Sequence, residues 1–516
     1  MDPLADLRAA IGEHARLERP PKPDFGDYST NAAMLRAPAE GKPPREVAAA
    51  LAEELKERLG DDVERIEVAG PGFLNLFMSE RWFHRVVGAA IEQGDDFGHG
   101  SGGERVLVEF VSANPTGPMT VASARGAAIG DSLTRLLAFA GNEVEREYYI
   151  NDYGTQVRLF GESIRARARG EEPPEGGYQG DYIAELAAEI DGAAERDPEE
   201  LAVLGAEHMM ERVKCTLERF RVHFDRFYSE RSMYDDGSVE RVLGKLGDHV
   251  YEHEGARWLR TSELGDEKDS VLIRSSGEPT YFASDIAYHE DKRERGYDRV
   301  INIWGADHHG HVKRMQASWR ALGGTDGALE LLIMQLVNLM EGGQRARMSK
   351  RQGEFVTLDD LIDDIGVDAA RFFLLQRSHD TTIDLDLALA RDQSAENPVY
   401  YCQYAHARIA SILKRAQDPG TDPFLAAPTA LHPSERELVK KLFEFPEEIE
   451  IAAERRAPHR ITTYVLALAQ AFSAFYRDCK VVGTPEEPFR LALSLQTQRV
   501  IARALDLLGV EAPESM

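Results

Sequence analysis

An apolar, β-branched run, VLVEFVSA, leads directly into NPTGPMTVASARGAAIGDSL, which spans Asn114 to Leu133. No other stretch limits the fold so strongly. The first run reads as a strand, Pro115 and Pro118 shape a turn, and a helix of small residues begins near Ala122. Gly126, Ala127 and Gly130 would let another element approach that helix closely. A helix start offers free amides and a positive dipole, which suit an anion such as phosphate. A plain β–α unit with close packing explains the same residues. Strand-like runs recur as EREYYIN and VINIWGADHHGH, with helical patterns between them. Strands that alternate with helices imply an α/β core built on a parallel sheet.

The rest of the 516-residue chain divides around that core, with length enough for several cored domains. Residues 1–100 read as a small α+β domain. PREVAAALAEELKERLG has Pro at its start and Gly at its end, and IEVAGPGFLNLFMS reads as two strands around a tight turn. A Gly-Ser cluster precedes the core, which runs over 101–392. Its charged, helix-rich stretch 162–265 is expected to be an insertion on the rim of the sheet. From 393 to 516 the β signal is gone, and four to six helices with a 3.6-residue period imply an all-α bundle.

The net charge of −28 argues against non-specific coating of nucleic acid, though a local basic groove is compatible with it. Three widely spaced cysteines form no CxxC pair, so a disulfide framework is not expected and a reducing, cytoplasmic setting is. The chain has no run of eighteen apolar residues, and no membrane partner is expected.

Three further stretches carry chemistry. In IWGADHHGHVKRM, Gly305, Asp307 and His308 follow a strand, where open parallel sheets bind ligands. Asp307 could accept from a ribose hydroxyl. Capping histidines are the plainer reading, and no metal is expected, because three histidines of one turn cannot face a single point. In RARMSKRQGEFVTL, Arg345, Arg347, Lys350 and Arg351 form a cationic loop able to close on a triphosphate, or simply a solvated one. In PTYFASDIAYHEDK, Tyr281, Asp285 and Tyr288 fall at i, i+4 and i+7 on one helix face, a receptor for a guanidinium or ammonium group or a local pairing.

Taken in order, VEFVSANPTGP, EYYINDYGTQV, the 279–315 segment, MSKRQGEFVTLDDLIDDIGVDAARF, ENPVYYCQYAHARI and LDLLGVEAPESM resemble the arginyl-tRNA synthetases, class I aminoacyl-tRNA ligases, nearly end to end. The resemblance implies a Rossmann-type core that uses ATP and Mg2+ to make arginyl-adenylate and then esterifies arginine tRNA, with the protein acting as a monomer. It places Glu109 and Asn114 at the α-amino and carboxylate end of arginine, and Tyr281, Asp285 and Tyr288 at the side chain. Gly305, Asp307 and His308 would lie under the adenosine. Met348, Ser349 and Lys350 would serve the phosphates. Phe73 and Asn75 would contact the tRNA elbow, and Tyr400, Tyr404, His406 and Arg408 the anticodon.

The resemblance breaks at one turn. Family members read LHVGHGRG after GP, and this chain reads MTVASARG. Thr120 and Ser123 replace both signature histidines, and Ala122 and Ala124 replace two glycines. Arg347 stands for the first lysine of KMSK, and Glu354 for a usual asparagine. Thr120 and Ser123 remain at the catalytic positions as short neutral donors. Removing one transition-state donor typically costs about 2.7–4 kcal/mol, so adenylation is expected to be weak or absent. Two readings stay open: an arginine–tRNA ligase with impaired activation, or a paralogue that binds tRNA or arginine in a regulatory role.

Overall fold

The computed structural model describes residues 3–12, 14–20, 22–346, 356–416 and 430–516. Its centre is a five-stranded, wholly parallel sheet. The strands are β1 (Arg105–Glu109), β2 (Glu143–Ile150), β3 (Arg226–Ser229), β4 (Arg299–Gly305) and β5 (Leu329–Met334), in the order β5-β4-β1-β2-β3. Chain direction across the sheet therefore reverses between β1 and β4. Open α/β sheets bind ligands at that reversal, beyond the carboxyl ends of the strands.

Helix α1 (Val121–Phe139) returns from β1. Gly130 allows this, because a Cβ there would come within 2.1 Å of the Phe110 ring. Gly126 has no such need, since its added Cβ would meet Met334 Cε at an ordinary 3.6 Å. Helix α2 (Tyr281–Glu294) precedes β4 and packs under the site.

The stretch 162–265 is not a single insertion. Arg226–Ser229 pairs in parallel with Glu147–Ile150, so an edge strand of the central sheet lies inside it. Helices 155–168, 181–189 and 198–219 form a satellite before that strand, with a core of their own around Phe160, Ile183 and Leu201. An antiparallel sheet of Val250–His253, Ala256–Leu259 and Ser270–Ile273 follows it.

The N-terminal unit has a four-stranded antiparallel sheet in which Val63–Ala69 and Phe73–Met78 form the expected hairpin, with Gly72 at φ 146°. The helix Pro44–Leu59 ends at Gly60 as its sequence implies. Five helices, Pro398–Arg415, Pro433–Leu442, Phe445–Glu454, His459–Asp478 and Glu487–Leu507, make up the C-terminal bundle among the described residues. No helix there or elsewhere is long and apolar enough to cross a membrane, among the described residues.

One buried arginine ties the bundle to the core. Arg371 donates to Asp131 of α1 at 2.5 Å, to Phe220 O at 2.8 Å and to Leu508 O at 2.7 Å. Arg371 and Asp131 are both essentially unexposed, so the guanidinium relies on Asp131 and those carbonyls, and the carboxylate on Arg371 and on Arg135, whose Nε donates to it at 2.8 Å. The helix that opens the functional crevice is thereby fixed to the end of the chain.

Candidate active site

Glu109 ends β1, and the backbone after it is strained. Val111 and Ser112 have φ of 69° and 44°, the left-handed region that a β-branched residue seldom occupies. Both oxygens of the buried Glu109 carboxylate are engaged within the protein. Ser112 Oγ donates to Oε1 at 2.8 Å, and Lys292 Nζ donates to Oε2 at 2.6 Å. Asn114 is exposed on the same turn.

Thr120 is the N-cap of α1, its Oγ1 accepting from Ser123 N at 3.4 Å and lying 3.5 Å from Ser123 Oγ. Val121 N donates to Val356 O at 3.1 Å, and Leu358 N to Met119 O at 2.8 Å. The expected set of free amides at this helix start is therefore largely spent, because two of the first three donors are taken within the protein. Met348, Ser349 and Lys350 lie outside the described residues. The residues after them reach the turn through the Thr120–Thr357 bridge.

Facing this turn, α2 presents an acidic pocket. Tyr281 opens it, 56% exposed, and Asp285 lies deeper, partly buried. A second carboxylate comes from outside α2. Glu230 is 2% exposed, and its Oε2 has no hydrogen-bond partner among the described residues. Burial first, then the Asp285 charge, pushes the Glu230 carboxyl up to about 8. Burial and then Glu109 push Asp285 up to about 7, against the pull of Arg314 and Lys292. Two acids resisting ionisation side by side call for a cation.

Tyr288 does not join them. It is 3% exposed and its hydroxyl donates to Glu147 Oε1 at 2.6 Å, so only its ring borders the pocket. Sequence reasoning missed Glu230 because it belongs to the short helix Glu230–Asp235, far from the other motifs, and only folding brings it to α2.

These two acids set a pH dependence. A cation favours their ionised forms, so a cationic ligand seated between them must release protons on binding below about pH 8. Affinity is expected to rise with pH by about ten-fold per unit for each proton released, and to level off above both values. Titration calorimetry at pH 6 to 9, in buffers of different ionisation heat, measures both effects. A flat affinity with no proton release would refute the assignment.

On the other side of the reversal, Gly305 closes β4, where an added Cβ would strike Asp307 Oδ1 at 2.6 Å. Asp307 and His308 follow, both exposed, with His308 Nδ1 and Asp307 Oδ1 3.2 Å apart and the His308 and Trp304 rings 5.7 Å apart. A cleft of about 900 Å³ opens beside them, lined by Trp258, Lys268, Tyr281, His309, His311 and Arg314.

Two distant surfaces carry the remaining residues. Phe73 and Asn75 lie on the hairpin face opposite the buried Leu74 and Leu76, although Asn75 is itself 6% exposed. On the bundle, the Tyr400 and Tyr404 rings are stacked with centroids 6.4 Å apart. The Arg408 guanidinium lies 4.5 Å from the Tyr404 ring and 5.0 Å from that of Tyr476. Tyr476, exposed and from another helix, is the member that sequence reasoning missed. His406 is not part of this face. It is buried, with Nδ1 2.8 Å from Pro513 O, because its position points across the helix from Tyr404 and Arg408.

A parallel sheet whose strand order reverses at a capped turn, with a helical bundle behind it, is the arrangement expected of a class I aminoacyl-tRNA synthetase. Family models agree. Residues 88–172 and 200–411 match the class I (R) tRNA synthetase catalytic domain, residues 4–78 the arginyl tRNA synthetase N-terminal domain, and residues 402–516 the DALR anticodon binding domain. The arginine–tRNA ligase of Carboxydothermus hydrogenoformans is 45% identical over 97% of this chain and 94% of its own. That of Bacillus subtilis is 44% identical over 99% and 97%. The solved Thermus thermophilus arginyl-tRNA synthetase superposes with a TM-score of 0.80 at 25% identity, covering 99% of this chain and all of that one. The chain belongs to the arginyl-tRNA synthetase family, and its function is that of an arginine–tRNA ligase. These relatives lend no support to the regulatory alternative.

Proposed function

We propose that the acidic pocket reads the arginine side chain and that activation at the altered turn is slow. Asp285 and Glu230 take the guanidinium between them, with Tyr281 over the entrance. The observation that carries this is the buried Glu230 carboxylate, with one unpartnered oxygen, beside the partly buried Asp285, neither of them in an ion pair among the described residues. Asn114 serves the α-amino and carboxylate end. Glu109 stands behind it, since both its oxygens are already bonded, and acts through its charge and the turn it holds.

ATP, as its Mg2+ complex, is the co-substrate. The arginine carboxylate attacks the α-phosphorus and pyrophosphate leaves; a ribose hydroxyl at the tRNA end then attacks the carbonyl carbon, and AMP leaves. Gly305 and the turn after it suit the adenosine, because the missing Cβ keeps that edge flat. Lys350, with Ser349 and Met348, is assigned to the phosphates by resemblance alone. Phe73 and Asn75 take the tRNA elbow, and Tyr400, Tyr404 and Arg408, joined by Tyr476, stack on anticodon bases.

Charging of arginine tRNA with labelled arginine and Mg-ATP tests this reading, run beside direct arginine binding. The expected result is clear arginine binding, with lysine rejected, and slow ATP-dependent charging. Arginine binding no tighter than that of lysine would remove the pocket assignment. Charging at the rate of an ordinary ligase would remove the assignment of slow activation.

A further inference from the structure

Under the acidic pocket lies a cation that the reaction does not consume. Lys292 is wholly unexposed, two turns along α2 from Asp285 and on the same face. Its Nζ donates to Glu109 Oε2 at 2.6 Å and to Asn302 Oδ1 at 2.9 Å, and lies 4.0 Å from the centroid of the Tyr288 ring.

Each partner is fixed in turn. Asn302 Nδ2 donates to His289 Nε2 at 2.8 Å, and His289 Nδ1 donates to Asp285 O at 2.7 Å. Burial and the Lys292 charge push His289 down to about 3, so the ring is neutral and carries its proton on Nδ1. Asn302 must then turn its oxygen to the ammonium. At the far end, Ser112 Oγ donates to Glu109 and accepts from Tyr149 N at 3.2 Å. One continuous buried chain thus runs from the backbone of Asp285 to the left-handed pair Val111 and Ser112, just before Asn114.

We infer that Lys292 is a positioning residue of the arginine pocket. Its ammonium fixes Glu109 and, through Ser112, the strained turn that presents Asn114, and it offsets the Glu109 charge so that Asp285 and Glu230 are left for the substrate. This rests on the pocket assignment above. A structural ion pair alone would also be buried and bonded. A purely structural role predicts lost stability with the pH midpoint of arginine binding unmoved. The titratable and charged groups facing Asp285 are Glu109 from β1, Glu230 and Tyr234 from the short helix Glu230–Asp235, Lys292 on α2 and Arg314 from the helix Val312–Ala321, with Tyr149 from β2. Of the two cations, Lys292 is the one bonded to Glu109. Without it, Asp285 would resist ionisation more strongly.

The test compares the parent with Lys292→Met, with Lys292→Met combined with Glu109→Gln, and with Ser112→Ala. Arginine affinity is measured from pH 6 to 9, with the KM values for arginine and ATP in pyrophosphate exchange. Lys292→Met should weaken arginine binding by roughly 30-fold. It should move the midpoint of the pH dependence up by about one unit, and leave the KM for ATP alone. Removing the Glu109 charge as well should return the midpoint to its parental position. Ser112→Ala should raise the KM for arginine by about ten-fold with the midpoint unmoved.

An unmoved midpoint in Lys292→Met, or one that the double variant does not restore, overturns the inference. If Lys292→Met does not fold, Ser112→Ala decides, and an unchanged KM for arginine overturns it. If the parent itself does not bind arginine, the pocket assignment has failed instead.

Discussion

Replacing Thr120, Ala122 and Ser123 by His, Gly and His is expected to speed adenylate formation by about 10²–10³-fold, the usual worth of one transition-state donor. The gain should fall short of two such factors, because donors acting on one transition state are not additive. The present turn is poor for a specific reason. Thr120 Oγ1 caps Ser123 N, and Val121 N is held by Val356 O, so the groups best placed for phosphate already have partners. Imidazoles would reach past the cap, and Gly at 122 would remove a methyl from the crevice wall. The change has a cost in the fold. Losing a Thr cap costs about 0.5–2 kcal/mol, so the variant should melt a few degrees below the parent. Pyrophosphate exchange in the presence of tRNA, beside a thermal melt, reads both effects. If the parent already exchanges as fast as the variant, the histidines are dispensable in this chain.

The core strands and the N-terminal hairpin were legible because their signals are local: β-branched runs bounded by Gly and Pro, and a helix framed by Pro44 and Gly60. Arg226–Ser229 was not, since RFYS is too short to show a period and is flanked by helices. Only its parallel partner, Glu147–Ile150, makes it a strand. The site divides the same way. Tyr281 and Asp285 could be placed on α2 by spacing, but spacing could not say that Glu147 would claim the Tyr288 hydroxyl. It could not say that Pro513 would claim His406, or that Glu230 would arrive from another element. At Thr120 the residue type alone allows either a phosphate donor or a cap. The choice falls to the cap because Val356 and Thr357 bind the turn from a segment far along the chain.

Asp285→Asn and Glu230→Gln are each expected to weaken arginine binding by about 10²–10³-fold, the usual result of deleting one partner of a desolvated charge pair. Their effects on the empty protein should run the other way. An acid with a raised folded pKa holds its proton more tightly folded than unfolded, so its ionisation costs stability once the pH passes the ordinary carboxylate value of about 4. For Asp285 that cost is complete above about 7, and for Glu230 above about 8. Neutral Asn or Gln removes it. Each variant should therefore melt higher than the parent at pH 8.5 without arginine, and much nearer to it at pH 5, where both acids are still protonated in the folded protein and only the first part of the cost has appeared. Saturating arginine should raise the melting temperature of the parent at pH 8.5 and scarcely move that of either variant, since ligand stabilisation falls with affinity. A pocket that is merely a structural acid pair would give the opposite sign, with both variants less stable at every pH. Melting curves with and without arginine at the two pH values separate the cases. Arginine affinity within three-fold of the parent in either variant would take that residue out of the pocket.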